Sequence, residues 1–240
     1  MSIGDDKQAI RDKVWGLLER EQAVPSGSHG KIPSFEGAER TAALLGDLDI
    51  WQQARTVKAN PDHAQLPVRV RALKDGKLVY MAVPRMATLK PFYKLSPEEL
   101  KVPPEEAADK RGAQSAAPRV AVSEMSPIDI VICGSVAVNR SGTRIGKGAG
   151  YSDLEVALLI EAGLITDSTI IVAPVHHLQV IEDQIPETDH DFSVDLIVTP
   201  DEVIPCSPRR RPTGLVRSDL TPDIVEAIPA LGIRAEDLSS

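Results

Sequence analysis

Apolar positions along the chain follow two alternating patterns, short continuous runs and longer amphipathic segments. The continuous runs are rich in β-branched residues and predict buried strands at residues 55–58, 79–83, 128–133, 170–173 and 196–198. Amphipathic periodicity predicts helices at residues 5–22, 37–48 and 154–160, another that ends at Leu73, and a short last helix that starts at Thr221-Pro222. This alternation predicts an α/β fold, with an open, mostly parallel sheet and helices on both of its faces.

The most informative stretch is residues 142–155, which follow the predicted strand 128–133 and read Gly-Thr-Arg-Ile-Gly-Lys-Gly-Ala-Gly-Tyr-Ser-Asp-Leu-Glu. Alternate glycines (Gly146, Gly148, Gly150) let backbone amides converge where a β-carbon would clash, and the helix that follows adds the positive end of its dipole. Arg144 offers a planar fork that matches phosphate oxygens, and Lys147 adds a point charge. The stretch predicts an anion site, against the alternative of a flexible loop with two solvated cations.

Neither of the two common nucleotide motifs describes this loop. A P-loop requires Lys and then Ser or Thr directly after its last glycine, whereas Gly150 is followed by Tyr151 and Ser152. The dinucleotide fingerprint G-x-G-x-x-G is absent too, because the spacing here is G-x-G-x-G. The pattern therefore indicates a phosphate loop of a different kind.

Residues 144–153 resemble the R-[LI]-G-x-G-x-G-Y-[YS]-D loop of the 5-formyltetrahydrofolate cyclo-ligases, also called 5,10-methenyltetrahydrofolate synthetases. The continuation Ser-Asp-Leu-Glu is similar to that of a divergent branch, the cyclo-ligase-domain-containing proteins. A second block, residues 186–200, resembles the late P-x-x-x-H-D-x-x-V-D-x-I-x-T strand of the family, and the likeness runs over residues 7–204. The resemblance implies a NagB/RpiA/CoA-transferase-like fold, with residues 1–240 as a single cyclo-ligase-like domain.

The resemblance also implies an activity, the Mg·ATP-dependent ring closure of 5-formyltetrahydrofolate to 5,10-methenyltetrahydrofolate, with a folate-like small molecule as substrate. In that family the formyl oxygen takes the γ-phosphoryl group of ATP, and a neighbouring nitrogen then closes the ring and expels phosphate. Catalytic roles are implied for Arg144 and Lys147, and Mg²⁺ ligation for Asp153 and Asp191. ATP binding is implied for Lys7, Arg11, Arg144, Gly146, Lys147, Gly148, Ala149, Gly150 and Tyr151.

Several of these residues also have purely structural interpretations. Lys7 and Arg11 lie four apart on the first predicted helix, so they share one face and are either solvated cations or phosphate ligands. Asp153, in the first turn of a helix, complements the helix dipole. Ser152 and Glu155 have the spacing of an S-x-x-E capping box, which explains both without any function.

Other candidate chemistry is weaker. Asp195 falls at a strand start and is equally a structural hydrogen-bonding residue. The pair His176-His177 and the more distant His190 lack the spacing of a zinc site. Cys133 is interpreted as a buried strand cysteine rather than a nucleophile, since no histidine and acid are placed beside it by sequence.

Two departures from the family's pattern leave other functions open. The family's folate-contacting glutamate has no counterpart in residues 62–65, and Ser152 stands where a second tyrosine is usual. Few rings are available to stack on a pterin, because aromatic residues make up only 3% of the chain. The candidates are Trp51, Tyr80, Tyr93 and Tyr151, of which the first two are expected in the core. The alternatives are therefore an ATP-dependent enzyme on a different small molecule and a non-catalytic nucleotide- or folate-binding regulatory protein.

Composition narrows the class of protein further. A hydrophobic content of 42% with 26% charged residues is typical of a soluble globular protein, and the net charge of −8 argues against affinity for nucleic acid or membranes. Three arginines within residues 207–214 are too few to give the chain affinity for nucleic acid. No counterpart of the RNA-recognition domain of eukaryotic branch members is found either, so no nucleic-acid partner is expected. The two cysteines, Cys133 and Cys206, the lack of a signal peptide and the lack of a long apolar run predict a cytoplasmic location.

Two segments depart from the α/β pattern. Residues 102–118 are rich in Pro, Glu, Ala, Lys and Gly and predict an exposed, mobile insertion that adds nothing to the core. From about residue 205 onward the chain predicts an irregular C-terminal extension.

Overall fold

The computed structural model describes residues 2–25, 27–217 and 220–233, which form two sheets with helices packed around them. The helices in this part of the chain are α1 (Ile3–Arg20), α2 (Ala38–Gly46), α3 (Asp49–Gln53), α4 (Leu66–Lys74), α5 (Pro104–Ala107), α6 (Lys110–Ala116), α7 (Tyr151–Glu161) and α8 (Pro222–Ala227). The strands are β1 (Thr56–Ala59), β2 (Leu78–Ala82), β3 (Phe92–Leu95), β4 (Arg119–Val120), β5 (Ile130–Ile132), β6 (Ala137–Asn139), β7 (Arg144–Ile145), β8 (Ile170–Pro174), β9 (Val180–Ile181), β10 (Leu196–Val198) and β11 (Val203–Pro205). None of these helices combines the length and the hydrophobicity that a membrane span requires.

The larger sheet has the strand order β11-β10-β8-β5-β1-β2-β3-β4. Its central strands, from β10 to β2, run parallel to one another. Strand β11 at one edge and strands β3 and β4 at the other are antiparallel to their neighbours. The predicted α/β fold with an open, mostly parallel sheet is therefore confirmed, and the antiparallel edge strands are an addition that the hydrophobic pattern does not predict.

Helices cover both faces of this sheet, as the sequence predicts. Successive side chains of a strand point to opposite faces, and in β5 Val131 packs in the core cluster that contains the buried side of α7. Its neighbours Ile130 and Ile132 pack in a second cluster, with buried residues of α2 and α4. The continuous apolar runs of the central strands reflect this burial on both sides.

A smaller sheet, in the order β7-β6-β9, packs against α1 and forms a third core cluster. Trp15 and Leu18 on α1 contribute to that cluster, and the indole nitrogen of Trp15 donates to the carbonyl oxygen of Lys31 at 3.0 Å. A capping box between Ser2 and Asp5 fixes the start of the helix. The docking of α1 on the small sheet sets the position of every polar side chain that the helix carries.

The order in which strands are added reverses at the middle of the large sheet. Strand β2 lies on one side of β1, whereas β5, β8 and β10 follow on the other side. The carboxyl ends of β1 and β5 thus border a crevice, which is where open α/β sheets bind their ligands. Residues 60–62 follow β1 and residues 133–135 follow β5 at that edge.

Residues 102–118 correct the prediction of an exposed insertion without core residues. They form α5 and α6, and Ala107, Ala108 and Ala113 are fully buried in the cluster that also contains α4 and β3. Alanine side chains are small enough for two short helices to lie close to each other and to the sheet. This segment therefore contributes to the core through its alanines, although it contains few large apolar residues.

The contact between α5 and α6 depends on Gly112. A Cβ added at Gly112 would lie 1.7 Å from the carbonyl oxygen of Glu106. We expect Gly112→Ala to lower the free energy of unfolding by roughly 1–3 kcal/mol, because the two helices must separate to admit the methyl group. The matched control is Gly16→Ala in α1, where a Cβ would meet nothing within 4 Å and where alanine should be neutral or stabilise by about 0.5–1 kcal/mol. Urea unfolding of both variants measures the difference, and equal effects would contradict this packing.

Candidate functional site

The glycine-rich loop is carried by the hairpin of β6 and β7, and this corrects the sequence interpretation in one respect. The buried strand β5 does not lead directly into the loop, because β6 and β7 of the small sheet lie between them. Gly142, in the turn of that hairpin, has φ of +92°, and a Cβ there would lie 2.4 Å from the carbonyl oxygen of Val194. The hairpin is thereby held tightly against the segment that precedes β10.

Two of the three alternate glycines adopt conformations that other residues rarely take. Gly148 has φ of +100° and Gly150 has φ of +69°, and Gly150 is the residue from which α7 starts. A Cβ at Gly146 would lie 3.0 Å from a guanidinium nitrogen of Arg144. The glycines therefore allow backbone conformations with positive φ, and they allow the guanidinium group of Arg144 to lie close to the backbone.

Arg144 is the buried cation of the site. It is only 4% exposed, its Nη1 donates to Asp153 Oδ1 at 3.1 Å, and its guanidinium carbon lies 4.5 Å from the centre of the Phe192 ring. Burial opposes the charge, but Asp153 and Asp191 outweigh it, so the pKa of Arg144 is raised above its ordinary value. Its Nε atom is buried without a hydrogen-bond partner among the described residues, a cost that an anion would relieve.

Helix α1 contributes two further cations, Lys7 and Arg11, to the cavity beside this loop. Arg11 Nε donates to the carbonyl oxygen of Gly146 at 2.7 Å, and a Cβ at Gly148 would lie 3.4 Å from its guanidinium carbon. Burial, together with the nearby charge of Arg144, lowers the pKa of Arg11. Arg11 is thus packed against the glycine loop, and Lys7, whose side chain is only 13% exposed, is not a solvated cation on a free helix face either.

Asp191 pairs with Lys7 across the same space. Its Oδ2 atom accepts from Lys7 Nζ at 2.6 Å, from the backbone N–H of Thr188 at 2.6 Å and from the Thr188 hydroxyl at 2.9 Å. Burial alone would raise the pKa of Asp191, but Lys7 and Thr188 lower it by more, and the net shift is downward. The carboxylate is held charged, and its second oxygen takes part in none of these three bonds.

Two cavities meet at the glycine loop. The first, of about 350 Å³, is lined by Lys7, Arg11, Arg144, Gly146, Asp153 and Asp191 at its polar end. The second, of about 480 Å³, is lined by Lys147, Ala149 and Tyr151 on the loop side and by residues 60–62 and 82–86 at the carboxyl ends of β1 and β2. Arg144, Gly148, Gly150 and Asp153 border both cavities. All residues that the sequence suggests for this site therefore line one cavity or the other.

Two residues of a buried polar network, Asn60 and Glu155, line the floor of the second cavity, and no sequence motif predicts this network. Lys58 Nζ lies 2.7 Å from Glu155 Oε1, and both side chains are almost fully buried. Asn60 joins them, since its Oδ1 accepts from Lys58 at 3.1 Å and its amide nitrogen donates to Glu155 at 3.3 Å. The capping-box interpretation of Ser152 and Glu155 is wrong, because α7 starts from Gly150 without a side-chain cap and Glu155 faces the network instead.

Arg69, on α4, holds the loop that follows β1. Its guanidinium donates to the carbonyl oxygens of Asn60 at 2.6 Å, Asp62 at 3.0 Å and Ala108 at 2.9 Å, and burial lowers its pKa to about 10. Burial also raises the pKa of Asp62, with Lys147 the largest opposing influence. The only sequence signal for this cluster is the Asn-Pro-Asp turn after a buried strand.

Most aromatic candidates lie in the core and not in the site. Trp51 and Tyr80 are buried as expected, and Tyr93 is buried too. None of these three side chains lines either cavity. Tyr151 is partly exposed and lines the second cavity. His190 lines the first cavity, whereas His176 and His177 stack on each other elsewhere, and no group of three or more potential metal ligands occurs within the described residues.

Comparison with known proteins places the chain beside one family. A model of the 5-formyltetrahydrofolate cyclo-ligase family matches residues 3–200. The chain is 36% identical over 242 residues to the methenyltetrahydrofolate synthase domain-containing protein of Mus musculus, an alignment that covers 95% of this chain and 63% of the relative. The protein of the same name from Homo sapiens is 33% identical over 250 residues, covering 98% and 63%. The chain thus spans less than two thirds of the length of these relatives.

Two further similarities concern members of the cyclo-ligase group itself. The mitochondrial 5-formyltetrahydrofolate cyclo-ligase of Arabidopsis thaliana is 35% identical over 86 residues, which covers 35% of this chain and 31% of the relative. The structure of Aquifex aeolicus 5,10-methenyltetrahydrofolate synthetase superposes with a TM-score of 0.52 at 20% identity, over 88% of this chain and 96% of that one. The structural similarity shows a shared fold.

The Lys58–Glu155 pair generates a prediction about stability. We expect Lys58→Met and Glu155→Leu to lower the free energy of unfolding by about 3–5 kcal/mol each, because each leaves one buried charge without its partner. The double variant removes both charges and should be no less stable than either single variant. Chemical denaturation of the three variants measures this coupling. Strictly additive losses would contradict a direct interaction between the two side chains.

The lowered pKa of Asp191 generates a prediction about pH. A carboxylate whose pKa is lower in the folded state contributes stability above its unfolded pKa of about 3.9, and this contribution is lost as the pH falls through the folded value. We expect Asp191→Asn to be about 1–2 kcal/mol less stable than the parent at pH 6, with the difference shrinking below about pH 4. Asp183→Asn is the control, because Asp183 pairs with Lys13 on the surface, where both side chains are more than half exposed. A pH-independent difference for Asp191→Asn would contradict the assignment.

Proposed function

The chain belongs to the 5-formyltetrahydrofolate cyclo-ligase family, and from that premise we propose that it is a ligase that converts 5-formyltetrahydrofolate to 5,10-methenyltetrahydrofolate at the expense of Mg·ATP. The observation that carries the proposal is one cavity lined by three cations and two carboxylates from distant parts of the chain. These are Lys7, Arg11, Arg144, Asp153 and Asp191. Such a combination matches a metal-bound polyphosphate in charge and in chemistry.

The three cations receive the phosphate groups in this proposal. Arg144 is held by Asp153 and Phe192 before any ligand arrives, so its fork needs little reorganisation to bind an anion. Arg11 is fixed by its bond to the carbonyl oxygen of Gly146. Lys147, which is exposed on the other side of the loop, adds a mobile charge where the two cavities meet.

Asp153 and Asp191 are the side chains that would hold Mg²⁺. Mg²⁺ usually takes one or two carboxylates and completes its shell with water and phosphate oxygens, so a dedicated cage of protein ligands is not needed. Both carboxylates line the first cavity, and the second oxygen of Asp191 remains outside its three hydrogen bonds. When bound, the metal neutralises charge on the phosphates, while these two side chains fix where it lies.

The folate occupies the second cavity, and its formyl oxygen meets the terminal phosphoryl group at the edge that the two cavities share. The bond from the formyl oxygen to phosphorus forms as the β,γ-phosphoanhydride breaks and ADP leaves. The neighbouring nitrogen then bonds to the formyl carbon, loses its proton and expels phosphate. The protein contributes positioning and charge neutralisation, and the scheme requires no general base.

A second candidate function is supported by the floor of the second cavity. This floor carries the network of Lys58, Asn60 and Glu155 together with Asp62, and Tyr151 is its aromatic side chain. A pterin ring offers more stacking area than one tyrosine covers. An ATP-dependent ligase acting on a more polar small molecule uses the same phosphate half of the site with a different acceptor.

The first test is the formation of methenyltetrahydrofolate from 5-formyltetrahydrofolate and Mg·ATP, followed by the absorbance of the product. Lys7→Ala should lower kcat/KM by about 10- to 100-fold, because a charge-assisted contact to phosphate is lost. Arg144→Lys should lower it at least as much, since lysine keeps the charge but not the fork. Lys13→Ala is the control, because Lys13 lies on the same helix and pairs with Asp183 on the surface.

The outcomes separate the candidates. Turnover by the parent that falls in Lys7→Ala and not in Lys13→Ala supports the cyclo-ligase activity and the phosphate role of Lys7. No turnover, with thermal stabilisation of the parent by Mg·ATP, favours the ligase of different substrate, and a screen for ATP consumption then identifies its acceptor. No turnover and no stabilisation by Mg·ATP would rule out both enzymes.

A further inference from the structure

The first cavity has a second, apolar end that the phosphate chemistry does not use. Its wall is formed by side chains of α7 and of the segment after β11, namely Leu154, Ala157, Leu215, Val216, Leu220 and Ile224. The polar end, with Lys7, Arg11 and Arg144, lies at the other side of the same space of about 350 Å³. A ligand that fits this cavity is therefore amphiphilic, with an anionic part and a flat or compact apolar part.

Residues 212–216 and 220–224 are here called the C-terminal wall, and ion pairs of neighbouring arginines attach this segment to the rest of the protein. Arg217 pairs with Glu161 at the end of α7, and Glu161 also accepts from the backbone N–H of Leu215 at 3.1 Å. Val216 is 37% exposed, so it is an apolar side chain held at the cavity instead of in the core.

The three consecutive arginines before the C-terminal wall reinforce this attachment. Arg209 Nε lies 2.7 Å from Asp195 Oδ1, and Arg211 Nη2 lies 2.5 Å from Asp195 Oδ2. Arg210 donates to the carbonyl oxygen of Thr188 at 2.8 Å, in the loop that carries Asp191. The arginines that suggest nucleic acid at first sight thus bind acidic and carbonyl groups of the protein itself, and they connect the wall to the polar end of the cavity.

The family model does not account for this wall. Its match ends at residue 200, before the arginines and all the residues of the C-terminal wall. The alignment with the mouse relative, in contrast, covers 95% of the chain. The wall is therefore an addition to the part of the chain that defines the family.

We infer that the C-terminal wall binds the base of the nucleotide whose phosphates lie on the glycine loop. The inference rests on the proposed function, because it requires a polyphosphate at Lys7, Arg11 and Arg144. The apolar end belongs to the same cavity as that polyphosphate position, and none of its side chains borders the edge that the two cavities share, where the terminal phosphoryl group meets the acceptor. A base at this end stacks on aliphatic side chains and is shielded from water, so the wall contributes affinity for the nucleoside and none for the phosphates.

The test compares the binding of ATP with the binding of inorganic tripolyphosphate, which has the phosphates without the nucleoside. Both are measured by isothermal titration calorimetry in the presence of Mg²⁺. The variant is Val216→Ser/Leu220→Ser, and the matched control is Leu89→Ser, which removes an exposed leucine (58% exposed) that lines neither cavity. The parent should bind ATP more tightly than tripolyphosphate. The double variant should weaken ATP about tenfold and change tripolyphosphate less than about twofold, with an unchanged circular dichroism spectrum.

The results distinguish failure of this inference from failure of the proposed function. Equal affinity of the parent for ATP and tripolyphosphate, or equal weakening of both in the double variant, would overturn the base-binding role while leaving the phosphate site intact. Binding of neither ligand to the parent would overturn the phosphate site itself, and the base-binding role with it. Selective loss of ATP affinity in the double variant, with none in Leu89→Ser, supports the inference.

Discussion

The burial of one guanidinium group, that of Arg144, is the constraint on which the geometry of the site depends. A charge that is only 4% exposed is tolerated when opposite charges and stacking compensate for lost hydration, and here Asp153 and Phe192 do so. Asp153 belongs to the first turn of α7, and Phe192 follows directly after Asp191. The glycine loop, the start of α7 and the loop before β10 must therefore hold fixed relative positions for the buried charge of Arg144 to be compensated.

The same requirement explains why distant segments of the chain converge. Helix α1 contributes Lys7 to Asp191, and Arg210 donates to the carbonyl oxygen of Thr188, whose hydroxyl group donates to Asp191. Asp195 is a structural residue, since its carboxylate accepts from the backbone N–H of Ile171 at 2.7 Å and pairs with two arginines. Each of these contacts restricts the loop that carries Asp191, so the carboxylates and cations are positioned before a ligand binds, which is the condition for electrostatic stabilisation.

The sequence predicts the residues at the polar end of the first cavity better than the floor of the second cavity, for a physical reason. Some features are local patterns, such as alternate glycines, adjacent cations and the i,i+4 pair of Lys7 and Arg11. Local patterns can be recognised in the sequence without knowledge of the fold. Lys58 and Glu155 come together only because β1 and α7 are neighbours in space, and nothing in either segment alone signals the other. The capping-box prediction for Glu155 is wrong for this reason, because its side chain forms a long-range ion pair with Lys58 and does not cap α7.

The polar floor of the second cavity restricts which substitutions this cavity can accept. Lys58, Asn60 and Glu155 contact one another in a nearly dry environment, so replacing any one of them removes a partner of a buried charge or amide. Exposed residues at the rim, such as Arg85 and Lys147, carry no such penalty. Substitutions are therefore tolerated most readily at the rim, whereas a change in the floor requires several substitutions together. The glycine loop, held by Arg144, stays the same in either case.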